Sequence, residues 1–141
     1  MTEPCDLTAV EARRLIGAKR LAPSELLASC IERIEAVDHA VNAIPARDFE
    51  RARDAAKRAD AAVARGDDLP ALHGLPIGIK DLQETAGLVT TLGSVIYKDF
   101  VPAEDECIVA AARQAGAIVI HDDGSMEGAH DPRSDGMALG L

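Results

Sequence analysis

The chain has 141 residues, 48% of them hydrophobic and 28% charged, with a net charge of −9. An acidic balance of this size excludes nucleic acid as a partner, because neutralising phosphate needs a basic face. Trp is absent and Phe49, Tyr97 and Phe100 are the only aromatics, so any core must be built from Ala, Val, Ile and Leu.

The length suits one domain. Cys5, Cys30 and Cys107 are widely spaced and form no C-x-x-C pair, which suggests neither a disulfide framework nor a zinc site. Cys30 and Cys107 fall in helical stretches among apolar neighbours, where Cys usually acts as a small hydrophobe. The opening MTEPCDLTAVEARR lacks the basic-then-apolar order of a signal peptide. No apolar run approaches the ~20 residues of a membrane span. The expectation is a soluble, cytoplasmic chain with no membrane partner.

Thr8 and Glu11 fit a capping box opening a short helix to about Lys19. Pro23 suits the first position of a second helix. There Leu26, Leu27, Cys30, Ile31 and Ile34 recur at spacings of three and four, giving one apolar face that ends near Val37 or Asp38. A third helix is expected from about Asp48 to Arg65, rich in Ala and charged along its outside, with Gly66 as its stop. Gly66 to Pro70 reads as a linker.

Ile77 to Lys80 is short, rich in β-branched residues and bounded by Pro and Gly, which favours a buried strand. Gly87 to Ser94 should be a loop with extended pieces. Asp105 is expected to cap a fourth helix reaching about Ala115, with Ile108, Val109, Ala111 and Ala112 as its apolar positions. Gly116 ends it, and Ala117 to Ile120 reads as a second buried strand. Strand, loop, helix, strand is an α/β pattern. From His121 the character changes: residues 121–141 carry five acidic residues, one Arg and four glycines without any period. The expected division is therefore a domain over 1–120 and a disordered tail over 121–141.

Three stretches in this order resemble the N-terminal part of the amidase signature family, the serine hydrolases of carboxamides that include the A subunit of glutamyl-tRNA(Gln) amidotransferase. They are the helix from Pro23 to Val37 with Val41-Asn42-Ala43, the block LHGLPIGIKD from Leu72 to Asp81 continuing to Ser94, and Asp99 to Ala117. The resemblance covers residues 7–120. It implies an α/β fold in which N-terminal helices precede the first strands and helices of a mixed sheet, here truncated.

The family works through a Ser–cis-Ser–Lys triad, and the resemblance places its lysine at Lys80. The implied role is to take a proton from the bridging serine, which in turn activates the nucleophile. A lysine with the ordinary pKa of about 10.4 is protonated at neutral pH and cannot do this. Burial at the end of an apolar strand, beside Ile77 and Ile79, is the expected remedy. Read from the residues alone, Lys80 is better explained as a strand-end lysine reaching water than as a catalytic base. By the resemblance both serines lie further along, and the turn after Ile120 departs from the family's Gly-Lys-Thr-Asn-like pattern to His121-Asp122-Asp123-Gly124. The chain alone is then expected to be inactive, and a frame-shifted or prematurely ended gene is the simplest account, testable by sequencing the locus for the remainder out of frame.

The other candidates favour plain readings. Ser125 does not sit in G-x-S-x-G, and Ser94 suits local backbone bonding. His73, His121 and His130, with Asp122 and Asp123, match no metal spacing and read as solvated polar residues. Asp81 either orients Lys80 or caps the following turn, the turn being preferred. Thr90, Thr91 and Gly93 look like a loop packed near the site. No cofactor or metal is implied, and the parent's partner is a small-molecule amide. Two further readings stand beside this one: a non-catalytic α/β interaction domain that self-associates through uncovered sheet edges, and a piece complemented by a second polypeptide.

Overall fold

The structure is a computed structural model, and it describes residues 3–44 and 46–123. After a 3₁₀ turn at Pro4–Asp6, helix α1 (Ala9–Gly17) starts at Thr8, whose hydroxyl accepts from the Glu11 N–H at 3.2 Å. The Glu11 carboxylate accepts from the Thr8 hydroxyl at 3.1 Å, so the pair closes on itself. Helix α2 (Pro23–Val41) begins at the expected proline and runs a turn further than its apolar period. Asn42, in the left-handed region at φ 51°, ends it.

Helix α3 (Phe49–Arg65) is capped by Asp48, which accepts from the Arg51 N–H at 3.1 Å, and stopped by Gly66 at φ 76°. Strand β2 (Pro76–Lys80), helix α4 (Cys107–Gln114) and strand β3 (Ile118–Asp123) follow, after a two-residue strand β1 (Ala46–Arg47) that has no counterpart among the sequence expectations. The sheet order is β1-β3-β2, with β3 antiparallel to β1 and parallel to β2. The register slips once, between Ile77 and Gly78, as β3 carries an extra residue there.

Residues 118–120 of β3 are buried on both faces, as part of a central strand next to a parallel neighbour should be. Ile118 and Ile120 pack with Leu27 and Ile31 of α2 and with Ala52 and Ala56 of α3. Val119 joins Ile79, Leu88 and Val109 of α4. A further cluster joins α1 to α2 and α3 through Ile16, Leu26 and Val63, with Leu75. The Ala face of α3 presents little bulk and lets the helix approach its neighbours closely. No aromatic is among the buried residues.

Three expectations need correction. Glu106, not Asp105, is the residue before α4, and its side chain makes no cap bond. Asp105 instead accepts from the Ala86 N–H at 2.8 Å and pairs with Arg113 at 2.8 Å, so its carboxylate ties a distant loop to the helix. Ile108 is 59% exposed and Cys107 is exposed, leaving Val109 as the buried anchor of α4. Strand β3 continues past Ile120 to Asp123, beyond the strand end expected at Ile120. The expected tail, with Ser125 and His130, lies otherwise outside the described residues.

Gly116 holds the turn between α4 and β3. Its φ is 91°, and a Cβ there would stand 2.7 Å from the Cα of His73, so both conformation and space demand glycine. Across this close approach Leu72 N–H donates to Ala115 O at 2.8 Å, Gly74 N–H to Gly116 O at 3.0 Å and Ile118 N–H to Leu75 O at 2.8 Å. These bonds set the entry of β2 beside the start of β3.

Leu27 is 1% exposed and sits where both helices meet the sheet. Leu27→Ala is expected to cost about 2–5 kcal/mol, read as a lowered urea midpoint with little change in slope. Ile108→Ala, on the exposed side of α4, should stay within about 0.5 kcal/mol of the parent.

Candidate active site

Lys80 is the last residue of β2 and pairs in register with Asp123 of β3. It therefore stands at the carboxyl end of parallel strands, the edge at which open α/β sheets gather their functional loops. Its neighbour Ile79 is buried within the α4-side cluster, while Lys80 itself is exposed. The desolvation expected from the apolar strand is thus not provided by the described residues.

The residue that is deeply buried here is Asp81, at 1% exposure. Its carboxylate accepts from both the backbone N–H and the hydroxyl of Thr91. A buried carboxylate is tolerated only when its oxygens are satisfied, and two donors from one residue do this compactly. The bond spans ten residues, so Asp81 does more than cap the next turn: it closes the 82–90 segment into a loop beginning at the candidate lysine.

That loop is laced from inside and outside. Thr85 and Thr90 are fully buried. The Thr85 hydroxyl donates to Gln83 O at 3.1 Å and the Thr90 hydroxyl to Leu88 O at 3.3 Å. Gly87 N–H donates to Pro102 O and Thr90 N–H to Phe100 O, at 3.1 and 2.9 Å, so a second segment runs alongside. Arg51 of α3 reaches over to donate to Ala86 O at 3.0 Å. Glycine suits position 87 because its φ is 79°, a left-handed conformation that other residues adopt only with strain. The threonines are therefore structural pins. Ser94, as expected, serves its own backbone, accepting from the Ile96 N–H at 3.3 Å.

His73 departs from the solvated reading. It is 7% exposed, and its Nε2–H donates to Ala59 O at 3.1 Å, joining the β2 approach to α3. Among the described residues no group of three or more His, Cys, Asp or Glu side chains is arranged to hold a metal ion. A cavity of about 270 Å³ lies between α3, α4 and β3, lined in part by Asp48, Arg51, Arg58, Leu88 and Arg113. Lys80 does not line it, and two of its guanidiniums are engaged within the fold, Arg51 with Asp48 at 3.3 Å and Arg113 with Asp105. We read it as a seam between elements. No helix among the described residues is long and apolar enough to cross a membrane.

Comparison with known proteins assigns the chain to a family. The profile of the Amidase family matches residues 25–122. The chain belongs to the amidase family. AmiD of Mycobacterium tuberculosis, assigned as an amidase, is 40% identical over 124 residues, which are 88% of this chain and 26% of that protein. The A subunit of the glutamyl-tRNA(Gln) amidotransferase from Anaeromyxobacter sp. is 38% identical over 118 residues, 84% of this chain and 24% of the relative. The crystal structure of the peptide amidase from Stenotrophomonas maltophilia superposes with a TM-score of 0.79 at 26% identity, over 86% of this chain and 26% of that one. This chain therefore spans about a quarter of the length of the amidases it matches, and its mixed helix–strand fold is that of their matching quarter.

Thr91→Val removes one of the two donors to a buried carboxylate. It is expected to lower stability by about 1.5–3 kcal/mol. Hydrogen exchange at the Thr91 amide should quicken in Asp81→Ala, which removes the acceptor. Unchanged protection there would mean that the Asp81 bond does not hold the loop.

Proposed function

We propose that this chain carries the lysine portion of an amidase site, with Lys80 as the general base of carboxamide hydrolysis. The observation that supports this reading most directly is the position of Lys80 at the carboxyl end of β2, anchored by buried Ile79 on one side and buried Asp81 on the other. In the parent reaction a serine attacks the amide carbonyl carbon, the C–N bond breaks with release of ammonia or an amine, and water hydrolyses the acyl-enzyme. Lys80 in its neutral form accepts the proton from the bridging serine. The two serines and the backbone donors for the oxyanion belong to the remaining three quarters of an amidase, and the covering that desolvates Lys80 comes from there as well. On its own the chain is inactive. We place its site of action in the cytoplasm.

Two measurements test the proposal. The chain alone should neither hydrolyse short carboxamides nor take up a serine-reactive fluorophosphonate; specific serine labelling that depends on Lys80 would overturn its inactivity. A chimera in which residues 25–122 replace the matching segment of an amidase relative should be labelled and active. Lys80→Ala in that chimera is expected to lose about 10²–10⁴-fold in rate, and full activity of that variant would remove Lys80 from the mechanism.

A second reading, a non-catalytic interaction domain, has one observation in its favour. Val95, Ile96, Tyr97 and Val101 are 62%, 84%, 44% and 49% exposed along one short segment, more apolar surface than scattered single residues provide. If this surface drives self-association, sedimentation velocity should show a concentration-dependent oligomer that Ile96→Glu with Val101→Glu disperses. A monomer at all concentrations would leave the surface to the remainder of an amidase fold.

A further inference from the structure

The N-terminal 3₁₀ turn at Pro4–Asp6 lies against α2, and its polar groups bracket one cysteine. The Cys5 N–H donates to the Ser29 hydroxyl at 3.1 Å, and Ser29 is the residue before Cys30. One turn further along α2, Arg33 pairs with Asp6 at 3.4 Å. Residues 29, 30 and 33 follow the helical repeat, so the turn is fastened to the stripe of α2 that carries Cys30. Leu7 and Cys30 also pack against the same core cluster. Both cysteines are half-buried free thiols. Burial pushes the Cys30 thiol up, and Cys5 pushes it further in the same direction, while the Cys5 Sγ lies 4.0 Å from the Asp6 carboxylate.

We infer that Cys5 and Cys30 are a redox-responsive thiol pair, which a small-molecule disulfide converts to an intrachain disulfide joining the N-terminal turn to α2. The pairing is between residues distant in sequence and outside any spaced motif, so only the packing of the turn reveals it.

The chemistry is thiol–disulfide exchange and needs no other reagent. The Cys5 thiolate attacks one sulfur of the small disulfide. The S–S bond breaks, a mixed disulfide forms on Cys5, and one small thiol leaves and takes up a proton. Cys30, its thiolate disfavoured by burial, is the slower partner and acts second. It loses its proton, attacks the Cys5 sulfur and expels the second small thiol. The protein has lost two hydrogens and the small disulfide has become two thiols. Cys107, exposed at the start of α4, has no such partner among the cysteines and serves as the internal comparison.

The reduced full chain is incubated with oxidised glutathione without denaturant, then analysed by intact mass and non-reducing peptide mapping. The expected product joins the Cys5 and Cys30 peptides and carries glutathione on Cys107. Closing the loop should raise Tm by about 5–10 °C, reversed by a reducing agent. Cys107→Ser should form the same link, while Cys5→Ser and Cys30→Ser should each leave a single glutathione on the remaining cysteine of the pair. The inference is overturned if Cys5 and Cys30 in the parent chain each keep a separate adduct, if either is joined to Cys107, if links form only between chains, or if neither reacts.

Discussion

The parallel pairing of β2 with β3 is the contact on which the other features depend. It requires β3 to be covered on both faces, because a central strand leaves no side for water, and the helices supply that cover from two directions. Ile118 and Ile120 face α2 and α3, and Val119 faces α4. The same pairing brings the end of β2 to one edge of the sheet, so Lys80 and the loop behind it are placed by the pairing with β3 and by the packing of Leu88 on Val119 and Val109. Gly116 is part of this arrangement, since the approach of the 72–75 segment to the α4–β3 turn leaves no room for a side chain.

Around the candidate lysine, polar side chains hold backbone. Asp81 commits both oxygens to Thr91, Asp105 joins Ala86 to Arg113, and Arg51 reaches Ala86 from α3. The result is a scaffold with a defined loop and an exposed lysine, in a chain about a quarter as long as the amidases of its family. Membership is shared with those proteins, whereas the proton transfer proposed for Lys80 draws on groups that neither β2 nor its loop contributes.

Much of this was legible in the residues because it depends on local rules. The i, i+3, i+4 recurrence of Leu26, Leu27 and Ile31 marked the buried face of α2, and Asp48 with Gly66 bounded α3. What was not legible depends on partners far along the chain. Asp105 looks like a helix cap by position, yet Ala86 and Arg113 claim its carboxylate. Asp38 reads as a stop for α2, but it lies in the last turns, buried, pairing with Arg47 and accepting from the Ala43 N–H at 2.8 Å. β1 has only two residues and shows no alternation; it exists because β3 offers an edge. His73 carries no sequence signal of burial, and Ala59 O provides its reason. For Lys80 the strand was foreseeable and its exposure matches the plain strand-end reading, whereas the burial implied by the resemblance belongs to the neighbours and not to the strand.

The crossover from β2 to β3 has a consequence for how the chain assembles. Lys80 and Ile118 bound a long connection that must be closed before any β2–β3 bond forms, and closure of this kind is slow because its entropy cost precedes its reward. The contacts between α2 and α3 span a much shorter stretch of chain, so the helical layer can gather first and present Leu27, Ile31, Ala52 and Ala56 as a template for β3. Until β3 arrives, that apolar face is open to water and to other chains. The bonds between the 84–90 and 100–106 segments shorten this connection in the folded chain, holding α4 and β3 back toward β2.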